Sequence, residues 1–390
     1  VTATEIALYL VGSGALAAWV FLVIGRNGFW HADQHLNAVR APDAWPAVLV
    51  VVPARNEARS IARSLASLLG QDYPGALSLV VVDDASDDGT ADAARAAAGD
   101  DGRFDLISGR PLKPGWTGKV WALEQGLAHG AARMTDARYV FLTDADVEHD
   151  AGQLRRLVAK AEADRLDLIS LMVMLRCRTA WERLLIPAFV FFFQKLYPFP
   201  KVNEPRSRAA AAAGGCILVH TDALGRAGAF GAIRDRVIDD CALARAVKRS
   251  GPIWIGLTTA SRSLRGYDGL GGLWNMVART AFVQLRHSTL LVFATVLGMV
   301  VTYVAPPALV VLGLAFQAPL AVLLGAAAWM LMAVAFRPTL ALYGEPAWRA
   351  LLLPAAAALY ALMTIESARR HLRGRGGGWK GRHYPADRRA

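Results

Sequence analysis

Asp144 and Asp146 stand one residue apart at the end of the apolar run in YVFLTDADVEHD, residues 139–150. Two carboxylates so close repel each other unless something positive lies between them. A hard divalent cation, Mg²⁺ or Mn²⁺, takes oxygen ligands and is commonly held by one or two carboxylates together with substrate phosphates. If 139–146 is extended, its side-chain period of two points both carboxylates to one side. A D-x-D in isolation reads better as a solvated turn capping the next helix. Other polar groups stand in similar places. Pro53, Arg55, Asn56 and Glu57 close AVLVVVPARNEA (47–58), and Asp83 and Asp84 follow the apolar run in LSLVVVDDASDDGT (77–90). Lys119, in PGWTGKVWALEQG (114–126), puts a cation at a helix start after two glycines, which suits a diphosphate. Asp239 and Asp240 open an amphipathic stretch, VIDDCALARAVKRSG (237–251). There they can cap a helix, favoured by its dipole, and one facing a site can also serve as a general base.

The elements around these residues alternate. Apolar runs near 47–54, 77–83, 104–108, 137–146 and 166–175 read as strands, with helical patterns between them, notably at 119–130 and 151–164. Alternation of this kind predicts an α/β fold with a mostly parallel sheet and helices on both faces. Ligands of such sheets bind beyond the carboxyl ends of the strands. Asn56, Asp83, Asp84, Asp144 and Asp146 all fall at such ends, so five polar groups converge on one rim.

Several chemistries are excluded. No G-x-G-x-x-G or Walker lysine loop follows the first strand, and no G-x-S-x-G elbow is present. DDASDDG resembles a calcium loop, but counting from Asp84 the twelfth position is Arg95, and a strand precedes it. Cys177, Cys216 and Cys241 have no metal-site spacing.

The chain is 54% hydrophobic and unevenly so. Residues 5–25 are nearly free of charge and long enough for a bilayer span. Arg26 and Arg40 follow and no basic residue precedes, which favours an uncleaved anchor with the globular part in the cytoplasm. Two further spans are expected near 289–314 and 317–336, while a third run at 351–366 is left open because a third crossing would break the parity that a cytoplasmic tail requires. The expected organisation is an anchor over 1–27, a cytoplasmic catalytic domain over 40–285, a transmembrane region over 286–368 and a basic tail over 369–390. Within the domain, 181–205 reads as an apolar, aromatic segment lying in the headgroup region. The net charge of +11 owes much to membrane-flanking segments and suits anionic headgroups; no nucleic-acid module accompanies it.

VVVPARNEA, VVVDDASDDGT, FLTDAD and IDDCALARAVKRSG resemble, in order and spacing, the motifs of family 2 glycosyltransferases with the GT-A fold. With AAAAAGGCIL and MVARTAFVQLRHS added, the chain is similar to the hopene-associated glycosyltransferases of bacterial hopanoid gene clusters, relatives of the ceramide glucosyltransferases. The resemblance implies an inverting, metal-dependent transfer at the bacterial cell membrane from a nucleotide-sugar donor, expected to be UDP-linked, to a lipid acceptor. It places Pro53, Arg55, Asn56 and Glu57 at the nucleotide, Asp83 supported by Asp84 at the uracil, and Lys119 beside the nucleotide. It makes Asp144 and Asp146 the metal–diphosphate motif, with Asp146 the direct ligand, and makes Asp240 the base, with Asp239 in place of the usual Glu. Where membrane relatives carry Q/R-x-x-R-W, Arg279 is followed here by Thr280, so Arg279 is matched by position alone. A polyprenyl-phosphate sugar transferase and a non-catalytic membrane scaffold are the competing readings.

Overall fold

The computed structural model describes residues 2–374, 376, 378–379 and 382–383. Most of the basic tail expected over 369–390 lies outside the described residues. The chain begins with helix α1 (Ala3–Val20), which continues through a π turn to Gly25. Thr2 and Glu5 form a capping box at its start, satisfying two backbone donors that the first turn leaves open.

The sheet has eight strands: β1 (Val48–Ala54), β2 (Leu77–Asp83), β3 (Phe104–Ser108), β4 (Tyr139–Leu142), β5 (Val147–His149), β6 (Leu168–Met174), β7 (Ile217–His220) and β8 (Ile253–Ser263). Their order is β3-β2-β1-β4-β7-β6-β8-β5. The first four run parallel and β6 is parallel to β8, whereas β7 and β5 pair antiparallel with their neighbours. The sheet is therefore mixed and mostly parallel, as the alternating pattern predicts.

Every residue of β1 is buried, which accounts for its unbroken apolar run, since helices cover both faces. On one face pack α2 (Ile61–Leu69), α3 (Thr90–Ala98) and α5 (Gln153–Asp164). On the other pack α4 (Gly118–Arg133) and, further along, α7 (Phe199–Asn203), α8 (Thr221–Arg226) and α9 (Asp239–Val247). Gly126 and Gly130 let α4 approach β1: a Cβ at 130 would stand 2.3 Å from Leu49 Cδ1, and one at 126 would stand 2.5 Å from Val51 Cγ1. Pro53 sits inside β1 without disrupting the ladder. Thr143 N–H donates to Val51 O at 3.4 Å, and two residues on, where Pro53 lacks a donor, β4 has already ended.

Helix α6 (Ala180–Leu196) joins the sheet domain to the apolar helices. Its residues Leu185, Ile186, Ala188 and Phe191 are fully buried in a cluster shared with those helices, while Trp181 and Leu196 are exposed. Glu182, also fully buried, accepts from the backbone N–H groups of Arg178, Thr179 and Tyr267, each at 2.9 Å. It thereby ties α6 to the entry of α10 (Leu270–Gln284). Beyond lie α11 (Thr289–Met299), α12 (Ala305–Ala315), α13 (Pro319–Leu342) and α14 (Leu353–Leu372). A π turn at Val300–Val304 makes α11 and α12 one continuous rod despite Pro306 and Pro307. Among the described residues, four helical stretches are long and apolar enough to cross a membrane: Ala3–Gly25, Thr289–Ala315, Pro319–Leu342 and Ala347–Leu372. The last includes the run at 351–366 that sequence left open.

Candidate active site

The loops after β1 and β2 are bound into one unit. Arg55 donates to the carbonyls of Asp84 and Ala85. Asn56, in the left-handed region at φ 52°, receives Asp87 N–H on Oδ1 at 3.1 Å and gives its own N–H to Ser86 Oγ at 3.0 Å. Glu57 N–H donates to Thr90 Oγ1 at 2.8 Å. Arg55 and Asn56 thus help to build the rim as well as border it. At the end of β2, Asp83 Oδ1 is buried without a hydrogen-bond partner. Such an acceptor is costly to leave unmet, which fits a donor on an incoming ligand. Asp84 is 2% exposed, and its N–H donates to Ala54 O.

The D-x-D pair does not continue its strand. Strand β4 ends at Leu142, and Asp144–Asp146 form a turn closed by Val147 N–H to Asp144 O at 3.2 Å. The period-of-two argument for a shared face therefore does not apply; the turn brings both residues to one chamber instead. Each carboxylate has its own cation. Lys119 Nζ lies 2.8 Å from Asp144 Oδ1 and 3.5 Å from Asp239 Oδ2. Arg265 Nε lies 2.6 Å from Asp146 Oδ2, and its Nη2 lies 2.6 Å from Glu57 Oε1. Burial works against the charge on both cations, but the carboxylates outweigh it, so both are held above their ordinary ranges.

Asp240 is held differently. Gly214 N–H donates to its Oδ2 at 2.9 Å and Cys241 N–H to its Oδ1 at 2.7 Å. A Cβ at position 214 would crowd Lys119 Nζ at 3.1 Å while meeting Asp240 Oδ2 at an ordinary 3.5 Å, so the glycine leaves room for the lysine. Burial, and then the Asp239 charge, push the Asp240 carboxyl up to about 6, against the pull of Lys119 and the two N–H groups. His149, by contrast, is structural: its ring bonds Thr143 Oγ1 and Ser261 Oγ, each at 2.8 Å, and burial lowers it to about 3.

A chamber of about 660 Å³ gathers Pro53, Arg55, Glu57, Lys119, Asp144, Asp146, Asp239, Asp240 and Arg279. Asn56, Asp83 and Asp84 flank it on the loops just described. The same chamber extends between α6 and α10 to Phe189, Phe192, Phe193 and Met276, and on to Met299 and Tyr360 of the apolar helices. Among the described residues no three His, Cys, Asp or Glu side chains are placed to hold a metal together. The donor set still fits a hard cation: two carboxylates face one chamber, and substrate phosphates supply the remaining oxygens in such sites.

Arg265, Lys195 and Gly214 also line the chamber and were not found from sequence. Arg265 follows β8, a strand that the run IWIGLTTASRS does not separate from a buried helix by periodicity. Once β8 is placed beside β6, Arg265 is one more polar group at a strand end.

Residues 49–228 match the family model described as glycosyl transferase family 2. No curated protein sequence matches the chain. Among solved structures, a mannosyltransferase, PcManGT from Pyrobaculum calidifontis in complex with GDP-Man and Mn²⁺, is 20% identical. That match has a TM-score of 0.56 and covers 94% of this chain and 99% of that one. S. aureus TarS 1-349 with UDP-GlcNAc is 16% identical, with a TM-score of 0.39 over 60% of this chain and 65% of that one. Glucosyl-3-phosphoglycerate synthase from Mycobacterium tuberculosis is 18% identical, with a TM-score of 0.39 over 62% and 80%. Of these three, the first speaks to the fold, which is of the GT-A kind and includes the apolar helices at both ends.

Proposed function

We propose that the protein is a membrane-bound, inverting glycosyltransferase that moves a sugar from a nucleotide-diphosphate donor to a lipid acceptor. One observation carries the reading: a single chamber joins the acidic cluster at the strand ends to an aromatic passage between α6, α10 and the apolar helices. A soluble acceptor has no need of that passage, whereas a lipid can leave its chain there and bring its head to the carboxylates. The orphaned Asp83 oxygen supports a base-reading role at the nucleotide, with UDP as the expected carrier.

A divalent cation, Mg²⁺ or Mn²⁺, held by Asp146 and Asp144 would supply positive charge against the leaving diphosphate. The protein's own groups do the rest. Asp240, fixed by two backbone N–H groups, takes the proton from the acceptor hydroxyl as its oxygen bonds the anomeric carbon. The bond from that carbon to the diphosphate breaks on the opposite side, which inverts the centre. General-base help of this kind contributes about 10²–10⁴-fold. Lys119 holds Asp144 and Asp239 in place between the two halves of the site. Arg279 lines the chamber wall on α10, which supports a role at the diphosphate or the acceptor.

The resemblance to hopanoid-cluster enzymes offers a hopanoid or related polar lipid as acceptor. A polyprenyl phosphate is the other reading, favoured by the cation in the apolar passage, Lys195. Asp240→Asn separates the two, because a phosphate oxygen needs no base.

Arg26 and Arg40, which follow the first apolar helix, support a cytoplasmic side for the domain. Helix α14 is hydrogen-bonded to α6 and α10: Tyr360 Oη donates to Leu185 O at 2.9 Å, and Phe282 N–H to Ser367 Oγ at 2.9 Å. The test is transfer of labelled sugar from UDP- and GDP-linked donors to extracted membrane lipid. Asp146→Ala is expected to abolish it while the protein stays folded, with some loss of melting temperature from the broken Arg265 bond; unchanged turnover in that variant would refute the site.

A further inference from the structure

Lys195 ends α6 inside the aromatic passage, and its surroundings do not explain its charge. Nζ donates to Tyr303 Oη at 2.8 Å and lies over the Tyr303 and Phe192 rings, 4.7 and 5.4 Å from their centroids. Tyr303 is fully buried, midway along the Thr289–Ala315 stretch. The nearest charge is another cation: Arg26, whose guanidinium donates to Lys195 O at 3.0 Å. Among the described residues neither cation meets a carboxylate. Burial, and then Arg26, lower the Lys195 ammonium to about 8. A buried ammonium with no counter-charge is expensive to keep, and such a group beside an apolar passage is suited to an anionic ligand.

We propose that Lys195, oriented by the Tyr303 hydroxyl, binds the phosphate of a lipid whose chain lies in the aromatic passage of the chamber. The inference rests on the reading of that chamber as a lipid-acceptor site and narrows the lipid to an anionic, phosphate-bearing one. The geometry is apt on three counts. Lys195 lines the chamber that reaches the Asp240 carboxylate, so a bound headgroup faces the chemistry. Phe189, Phe192, Phe193 and Leu196 supply apolar surface for chains. The donor's diphosphate has cations of its own further in, at Lys119 and Arg265. Two sources share this chemistry: the phosphodiester of a phospholipid headgroup bearing the accepting hydroxyl, and the monoester of a polyprenyl phosphate.

The experiment measures lipid binding to the purified full chain in maltoside, which carries no phosphate. The probes are farnesyl phosphate and phosphatidylglycerol, each against its neutral counterpart, farnesol and diacylglycerol. Lys195→Met is expected to weaken binding of at least one phosphate-bearing probe by about tenfold or more, the cost of one charge-assisted hydrogen bond, and to leave both neutral probes unchanged. Lys195→Arg is expected to retain most of the affinity, and Tyr303→Phe to lose a smaller part. Because Lys195→Met removes an unpaired charge, its melting temperature should not fall. If it does not fold, the Arg and Phe variants carry the comparison. Response to farnesyl phosphate alone assigns the monoester, and response to phosphatidylglycerol the phosphodiester. Equal binding of charged and neutral probes by the wild type, or a charge preference that survives Lys195→Met, overturns the proposal. Donor binding, measured by calorimetry with UDP- and GDP-sugars, should be the same in wild type and Lys195→Met. Its absence from both would sink the transferase reading without touching the Lys195 result.

Discussion

Arg265→Gln tests how the acidic site is kept ready. In the structure the guanidinium makes two short charge-assisted bonds, to Asp146 and Glu57, whose side chains are 11% and 14% exposed. Removing a charged partner from one such bond costs about 1.5–3 kcal/mol. Arg265 itself is 38% exposed, so solvent screens part of this and the lower figure applies. Two bonds then give about 3 kcal/mol of lost stability without added metal. A cation taking Asp146 Oδ2 in the wild-type site would displace Arg265 from it, and that competition of about 1.5 kcal/mol corresponds to roughly tenfold in affinity. Mn²⁺ should therefore bind the variant about tenfold more tightly than the wild type, in the absence of nucleotide. Free Mn²⁺ read by electron paramagnetic resonance gives the dissociation constants, and thermal melts with and without Mn²⁺ give the stabilities. At saturating ion the variant should recover about 1.4 kcal/mol more than the wild type. Equal or weaker Mn²⁺ binding by Arg265→Gln would refute the idea that this arginine occupies the place of the metal.

With Asp240 as the proposed base, its carboxyl, raised to about 6, must be ionised, so kcat/KM should climb about tenfold per pH unit below 6 and level off above it. Asp240→Asn should abolish that limb along with at least about 10²-fold of the rate. A raised carboxyl also costs stability as pH climbs through 6, so the wild type should lose more melting temperature from pH 5 to 8 than Asp240→Asn. Gly130→Ala sets a Cβ 2.3 Å from Leu49 Cδ1 and should destabilise by about 1–3 kcal/mol in a melt. A neutral result there would mean that α4 is free to shift away from β1.

The sequence by itself determined the α/β architecture, because runs such as VLVVVPA and LSLVVVD are apolar on both faces and need helices above and below. It also marked the acidic residues, since carboxylates at strand ends depart from the pattern around them. It could not reveal β7 and β8, whose runs carry no period that separates strand from buried helix, and so it missed the rim position of Arg265. Tertiary structure decided the partners. Lys119 reaches both Asp144 and Asp239, which lie far apart in the chain, and Arg265 joins Asp146 to Glu57. Nor could sequence show that α6 encloses an apolar passage opening onto the carboxylates, with Lys195 inside it. Local propensity and spacing fix which groups are unusual; only packing between distant segments fixes what each unusual group faces.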